Sequence, residues 1–346
     1  MIAAALPIQR PPDAKLLVID ARGRFVHAQR SAFLDYLRFG DLVIANDAAT
    51  LPASLFGIHL PTARPIEVRL AGRDSLAPED ISHFSVVVFG AGDYHIRTED
   101  RPAPPLLAPG DKLVLGPLHA TVERLIGHPR LALIRFDVSP DAFWAAISHH
   151  GRPIQYAHLG VPLALWDTWT PIAGPPVAFE PPSAGFILDW KSISAMRAHG
   201  INFATITHAA GISSTGDAGL DRRLPFDEPY RIPKATAEAI QRPRVHGGRV
   251  IAIGTTVVRA LEHSAGLDGV VRSGEGLATQ RIDATTQLRV VDAILSGTHE
   301  PDTSHYQLLR AFTNDETLLR ADLELETYQY RTHEFGDSVF VEESHA

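Results

Sequence analysis

The sequence contains no cysteine among its 346 residues. That excludes disulfides, cysteine nucleophiles and thiolate metal sites, and it fits a cytoplasmic protein. Also missing is any apolar run of the roughly 18–20 residues a membrane-spanning helix needs. The opening stretch MIAAALPIQRPPDAK is short on apolar length and has no basic region, so it does not read as a secretory signal. No P-loop, no G-x-G-x-x-G after a strand, no G-x-S-x-G and no H-E-x-x-H occurs, so a nicotinamide or ATP enzyme is not supported. His149-His150 is a tempting metal pair, but adjacent helical residues diverge, and no metal is expected.

Positive charge is in short supply. Lysine and arginine number 32 against 40 acidic residues, a formal net charge of −8. Nucleic-acid binders are more often basic. An RNA substrate would therefore need local contacts, from Arg22, Arg24 and Arg30 or from Arg242, Arg244 and Arg249, against the alternative of a scattered solvated surface. Hydrophobic residues make up 45% and charged residues 21%, the balance of a folded globular chain. The length allows two domains or one large one.

The pattern along the chain is α/β at both ends. LLVID (16–20) predicts a strand, SAFLDYLR (31–38) a helix capped by Ser31, and DLVIAND (41–47) a strand ending in Asn46 and Asp47. Five β-like runs follow: 66–70, 83–90, 112–116, 119–127 and 131–137. Turn residues separate them, which suggests a small barrel or sandwich. SPDAFWAAISHHG (139–151) predicts a helix. The Pro- and Gly-rich stretch 172–185 is expected to be irregular. Helices are then predicted over 192–200, 232–243, 257–266 and 286–297, with another opened by a Thr313/Glu316 capping box. Strands are predicted over 202–208, 249–254 and 338–343. The expected architecture is a discontinuous α/β domain, residues 1–60 and 149–346, carrying an inserted small β-barrel at 61–148.

The sharpest local signal is RVIAIGTTVVRALE (249–262), an apolar strand that turns at Gly254-Thr255-Thr256 directly into a helix. Glycine permits the tight turn. The threonine hydroxyls can cap the helix or meet a ligand, and free N–H groups there favour an anion. Arg259, one turn in, either faces the same ligand or pairs with Glu262. Other polar residues follow apolar strands: Asn46 and Asp47, then His208 ahead of a small-residue loop. In an open α/β sheet such strand ends converge on a ligand crevice. His208, His299 and the carboxylates Asp227 and Glu228 are candidates for acid–base work, although a lone histidine is more often structural.

These segments together resemble the S-adenosylmethionine:tRNA ribosyltransferase-isomerase family of the queuosine pathway. GGRVIAIGTTVVRALE (247–262) looks like that family's hallmark. In the family's order stand 33–57, PPSAGFIL (181–188), FATITHAAG (203–211), DEPYRIP (227–233), LRVVDAILSGTHEPDTS (288–304) and YRTHEFGDSVFV (330–341). The resemblance covers nearly the whole chain. It implies an α/β domain with an inserted β-barrel. It also implies a reaction in which the ribosyl part of S-adenosylmethionine is transferred and isomerised onto the aminomethyl group of a 7-deazaguanine base in tRNA. Epoxyqueuosine forms, and adenine and methionine leave. The resemblance assigns Glu228, His208 and His299 to acid–base or positioning roles. It gives Gly254, Thr255, Thr256 and Arg259 to the co-substrate, and Asn46, Asp47 and Asp337 to polar ligand groups or the framework of the site.

Several polar positions depart from the family pattern. Ala49 and Ser54 stand where the family has arginines, Ile187 and Phe226 where it has histidines, and Gly297 where it has asparagine. Thr332-His333-Glu334-Phe335 replaces F-F-S-Y. The apolar scaffold is kept. The departures leave two further readings open: an enzyme acting on S-adenosylmethionine or a related nucleoside without tRNA, and a non-catalytic nucleoside- or RNA-binding protein.

Overall fold

Four short apolar runs, Asn202–His208, Leu42–Asn46, Val250–Ile253 and Ala293–Gly297, lie side by side in parallel at the centre of a nine-stranded mixed sheet. The structure is a computed structural model. It describes residues 1–301 and 303–344, with backbone only for 242–246. Glu228–Ile232 and Gly274–Ala278 extend the sheet antiparallel on one side, and Ser338–Glu342, Lys15–Ile19 and Phe25–Gln29 extend it on the other. The central strands are apolar on both faces because both are covered. Leu42, Ile44, Val250 and Ala252 pack into one core layer, and Val43, Ala45, Ile251 and Ile253 into the other.

The second body is a closed six-stranded antiparallel barrel: Ser54–His59, Arg64–Gly72, His83–Phe89, Lys112–Leu115, Leu118–His128 and Leu131–Phe136. Its core is filled by Val68, Leu70, Phe84, Val86 and Ile134, and closure removes every free sheet edge. The first barrel strand, Ser54–His59, lies ahead of the expected insertion start at 61. An α/β chain with a barrel is the fold class read from the sequence.

Several local expectations need correction. The largest concerns 286–297, predicted as a helix. Its last five residues, Ala293–Gly297, are a central parallel strand, and no helix is assigned there. A short, fully buried apolar run does not distinguish helix from strand by periodicity. Residues Arg30–Tyr36 form a 3-10 helix without a side-chain cap, rather than an α-helix capped by Ser31. The irregular stretch 172–185 includes a short strand, Pro176–Ala178, paired with Ala49–Thr50. The helix from Lys234 runs to His246, past the expected stop at Pro243. The helix Asp315–Thr327 is capped by Asn314, whose side chain accepts from the Thr317 N–H, and not by Thr313. Ser139 does cap Pro140–His150 through the Ala142 N–H.

Candidate active site

The carboxyl ends of two of the parallel strands, at Gly254 and at Ser296-Gly297, and the loop after a third, at Ala210-Gly211, open on one cavity of about 390 Å³. Asn46 and His208 stand behind its wall rather than lining it. The volume lies within the roughly 300–1,000 Å³ that small-molecule pockets occupy. Gly254, Thr255, Thr256, Arg259, Glu228 and His299 all line it. The sequence scatters these groups over 72 positions, and the sheet gathers them.

Gly254 makes the strand-to-helix turn at φ +94°, a conformation that disfavours any residue with a Cβ. The helix Thr255–Ala265 starts at the cavity wall, so its first N–H groups, which lack intrahelical partners, are presented to a ligand. Asn46 ties the neighbouring strand ends together. Its Oδ1 accepts from the His208 N–H at 2.9 Å, and its Nδ2 donates to the His208 carbonyl at 2.9 Å and to Thr256 Oγ1 at 3.3 Å. It therefore fixes the Thr256 hydroxyl.

Glu228 is the electrostatic centre. Its Oε2 meets His208 Nε2 at 2.8 Å and accepts from Arg259 Nη1, while Oε1 accepts from the Gly211 N–H. Burial pushes this carboxyl up. The Arg259 guanidinium, His208 and the Gly211 N–H outweigh it and hold the group down at about 2. Gly211, which also lines the cavity, is a position the sequence reading passed over. A Cβ there would lie 2.9 Å from Glu228 Oε1, so only glycine admits this approach. The signal lay in the small-residue loop after His208.

Arg259 also donates to the carbonyls of Phe226, Ala278 and Gln280. Its partner is Glu228, and Glu262 instead accepts from the N–H groups of Arg289, Val290 and Val291. Arg259 thus fixes Glu228 and the helix against the strand Gly274–Ala278, and a ligand meets it as half of an ion pair.

His299 follows the strand Ala293–Gly297, and its ring stacks on His305 at 4.3 Å. Burial, aided by His305 and His333, drives its pKa well below the usual imidazole range. At neutral pH it is an unprotonated base facing the cavity. Glu180, which the sequence reading did not single out, also lines the cavity. It accepts from Tyr156 Oη and from the Ser213 N–H at 3.1 Å. Burial, then the charge of Glu334, pushes it up to about 7.

Two assigned residues sit in the framework. Asp47 accepts from Thr205 Oγ1 at 3.0 Å and Thr207 Oγ1 at 2.7 Å. Asp337 is fully buried and accepts from the Lys15 and Arg331 N–H groups, each at 2.7 Å. Neither lines the cavity. The basic groups read from the sequence are largely committed elsewhere. Arg30 is buried on the Gly336 and Gln9 carbonyls, Arg24 pairs with Asp20, and Arg249 pairs with Asp41 and Glu342. Arg242 and Arg244 have side chains outside the described residues. At the cavity rim stand other arginines, Arg222 and Arg281, both exposed, with Arg281 donating to the carbonyls of Arg222 and Arg223.

The chain has relatives over its whole length. It is 32% identical to a Sorangium cellulosum S-adenosylmethionine:tRNA ribosyltransferase-isomerase, over 97% of this chain and 95% of that protein. It is 30% identical to the Citrifermentans bemidjiense protein of the same name, over 98% and 96%. A crystal structure of S-adenosylmethionine tRNA ribosyltransferase from Thermotoga maritima shares the fold, with a TM-score of 0.51 at 22% identity, covering 98% of this chain and 96% of that one. A family described as queuosine biosynthesis protein matches residues 1–341. The chain belongs to that queuosine biosynthesis family.

Proposed function

We propose that this protein is an S-adenosylmethionine:tRNA ribosyltransferase-isomerase, giving epoxyqueuosine in tRNA with release of adenine and methionine. The observation that carries the reading is one cavity holding a helix N-terminus at Gly254-Thr255-Thr256, the Glu228–Arg259 pair and the unprotonated His299. Each answers a need of the chemistry. The helix N-terminus and the Thr256 hydroxyl receive the methionine carboxylate. The buried Glu228 carboxylate faces the sulfonium charge. His299 is the base that removes the proton beside the sulfonium. His208, held by Glu228 and Asn46, positions that carboxylate. Arg222 and Arg281 offer the tRNA phosphates a local basic rim on an acidic protein.

We also infer that the barrel is an inserted domain of the discontinuous α/β unit. We place the protein in the cytoplasm, where its tRNA substrate resides. Among the described residues no helix is long and apolar enough to cross a membrane.

The test is adenine release from S-adenosylmethionine with precursor-bearing tRNA, comparing the wild type with His299→Gln. The variant is expected to bind S-adenosylmethionine and lose turnover by at least about 100-fold. Unchanged turnover would remove His299 from the proposal.

A further inference from the structure

Beside the cavity lies a group of two histidines and a carboxylate, none of which lines it. His158, His333 and Glu334 each bring one ligand atom within 4.8 Å of the others. His158 Nε2 and Glu334 Oε2 face each other at 3.4 Å. Both atoms are shut off from solvent and neither has a hydrogen-bond partner. Buried polar atoms are nearly always satisfied, and these two have only each other, as an ion pair when His158 is protonated. The His333 ring stacks on that of His158 at 4.2 Å. His333 also holds φ +69°, a backbone conformation uncommon for a residue with a side chain. Two of the three groups are departures from the family pattern, His333 for phenylalanine and Glu334 for serine, so nothing in the common reaction asks for them.

We propose that His158, His333 and Glu334 form a binding site for one divalent transition-metal ion. Two imidazoles with one carboxylate suit zinc, cobalt and non-haem iron. Metal bonds of about 2.0–2.2 Å put tetrahedral ligand atoms about 3.4 Å apart. The His158–Glu334 spacing already matches, and a side-chain rotation of His333 closes the rest. Water fills the open positions. The ligands come from two distant stretches of chain, so the ion clips the turn before the strand Ser338–Glu342 to the segment after the barrel.

The test uses untagged full-length protein, stripped with a chelator and titrated with Co²⁺ and with Zn²⁺ in the absence of S-adenosylmethionine and tRNA. The expected result is one equivalent of Co²⁺ with a visible d–d band, displaced by Zn²⁺. His158→Gln should weaken binding by roughly tenfold or more. So should the double change H333F/E334S, which restores the family's residues and guards against a folding artefact. Absence of a stoichiometric Co²⁺ band overturns the site. So does binding that both variants leave intact, which would assign the metal to an adventitious surface pair such as His149-His150. Neither result depends on the transferase reading, because no turnover is measured.

Discussion

His208 Nε2 lies 2.8 Å from Glu228 Oε2, on adjacent antiparallel strands, with the Arg259 guanidinium on the same carboxylate oxygen. All three side chains are buried. The carboxylate is therefore a fixed negative charge whose value depends on its partners.

Glu228→Gln leaves Arg259 buried without its counter-charge. The expected cost is on the order of 3–5 kcal/mol, read by urea unfolding at pH 7. The wild-type carboxyl is depressed to about 2 from its ordinary 4.5. Its contribution is present above about pH 4.5 and is lost as pH falls towards 2. The variant lacks that slope, so the stability gap closes in acid. A gap independent of pH would contradict the assignment.

Thr256→Val removes the hydroxyl that Asn46 holds at the cavity wall. One lost hydrogen bond of about 1 kcal/mol predicts S-adenosylmethionine binding weakened about fivefold by calorimetry. Gly211→Ala should weaken it too, by displacing Glu228. Unaltered affinity in both would mean the pocket is misplaced.

Glu180→Gln tests the neutral carboxyl. The folded protein keeps this proton to about pH 7, whereas the unfolded chain releases it near 4.5. Wild-type stability therefore falls as pH rises through that window. The variant should gain on the wild type between pH 5 and pH 8 in denaturant unfolding. A constant difference would show that Glu180 is ionised throughout.

The double change R222E/R281E should weaken tRNA binding at least about tenfold and flatten its dependence on salt. S-adenosylmethionine affinity should stay unchanged, because both arginines stand at the rim. Loss of both affinities would place them inside the co-substrate pocket.

The legible part of the site was what strand ends and glycine turns encode. Gly254-Thr255-Thr256 announces itself because an apolar strand can meet a helix so abruptly only with glycine at positive φ. Asn46 and His208 were legible for the same reason, as polar residues closing apolar runs. The strand Ala293–Gly297 was not legible, since burial on both faces erases the alternation that marks a strand, and with it went the true setting of His299. Glu180 was also hidden. It sits in a Pro-rich stretch, and its raised pKa arises from burial and from the charge of Glu334, which is distant in sequence. Arg259 illustrates a pairing that spacing suggested wrongly. Glu262, one turn away, is taken by three backbone N–H groups of 289–291, and the counter-charge comes from Glu228, 31 residues upstream.

The central claim is ribosyl transfer to tRNA, and isotope transfer tests it most directly. The protein is incubated with S-adenosylmethionine labelled with ¹³C in its ribose and with precursor-bearing tRNA, and the digested nucleosides are read by mass spectrometry. The account predicts a labelled epoxyqueuosine nucleoside in the tRNA, with one adenine released per label incorporated. Adenine released without label in the tRNA, or S-adenosylmethionine bound with no release, would contradict it.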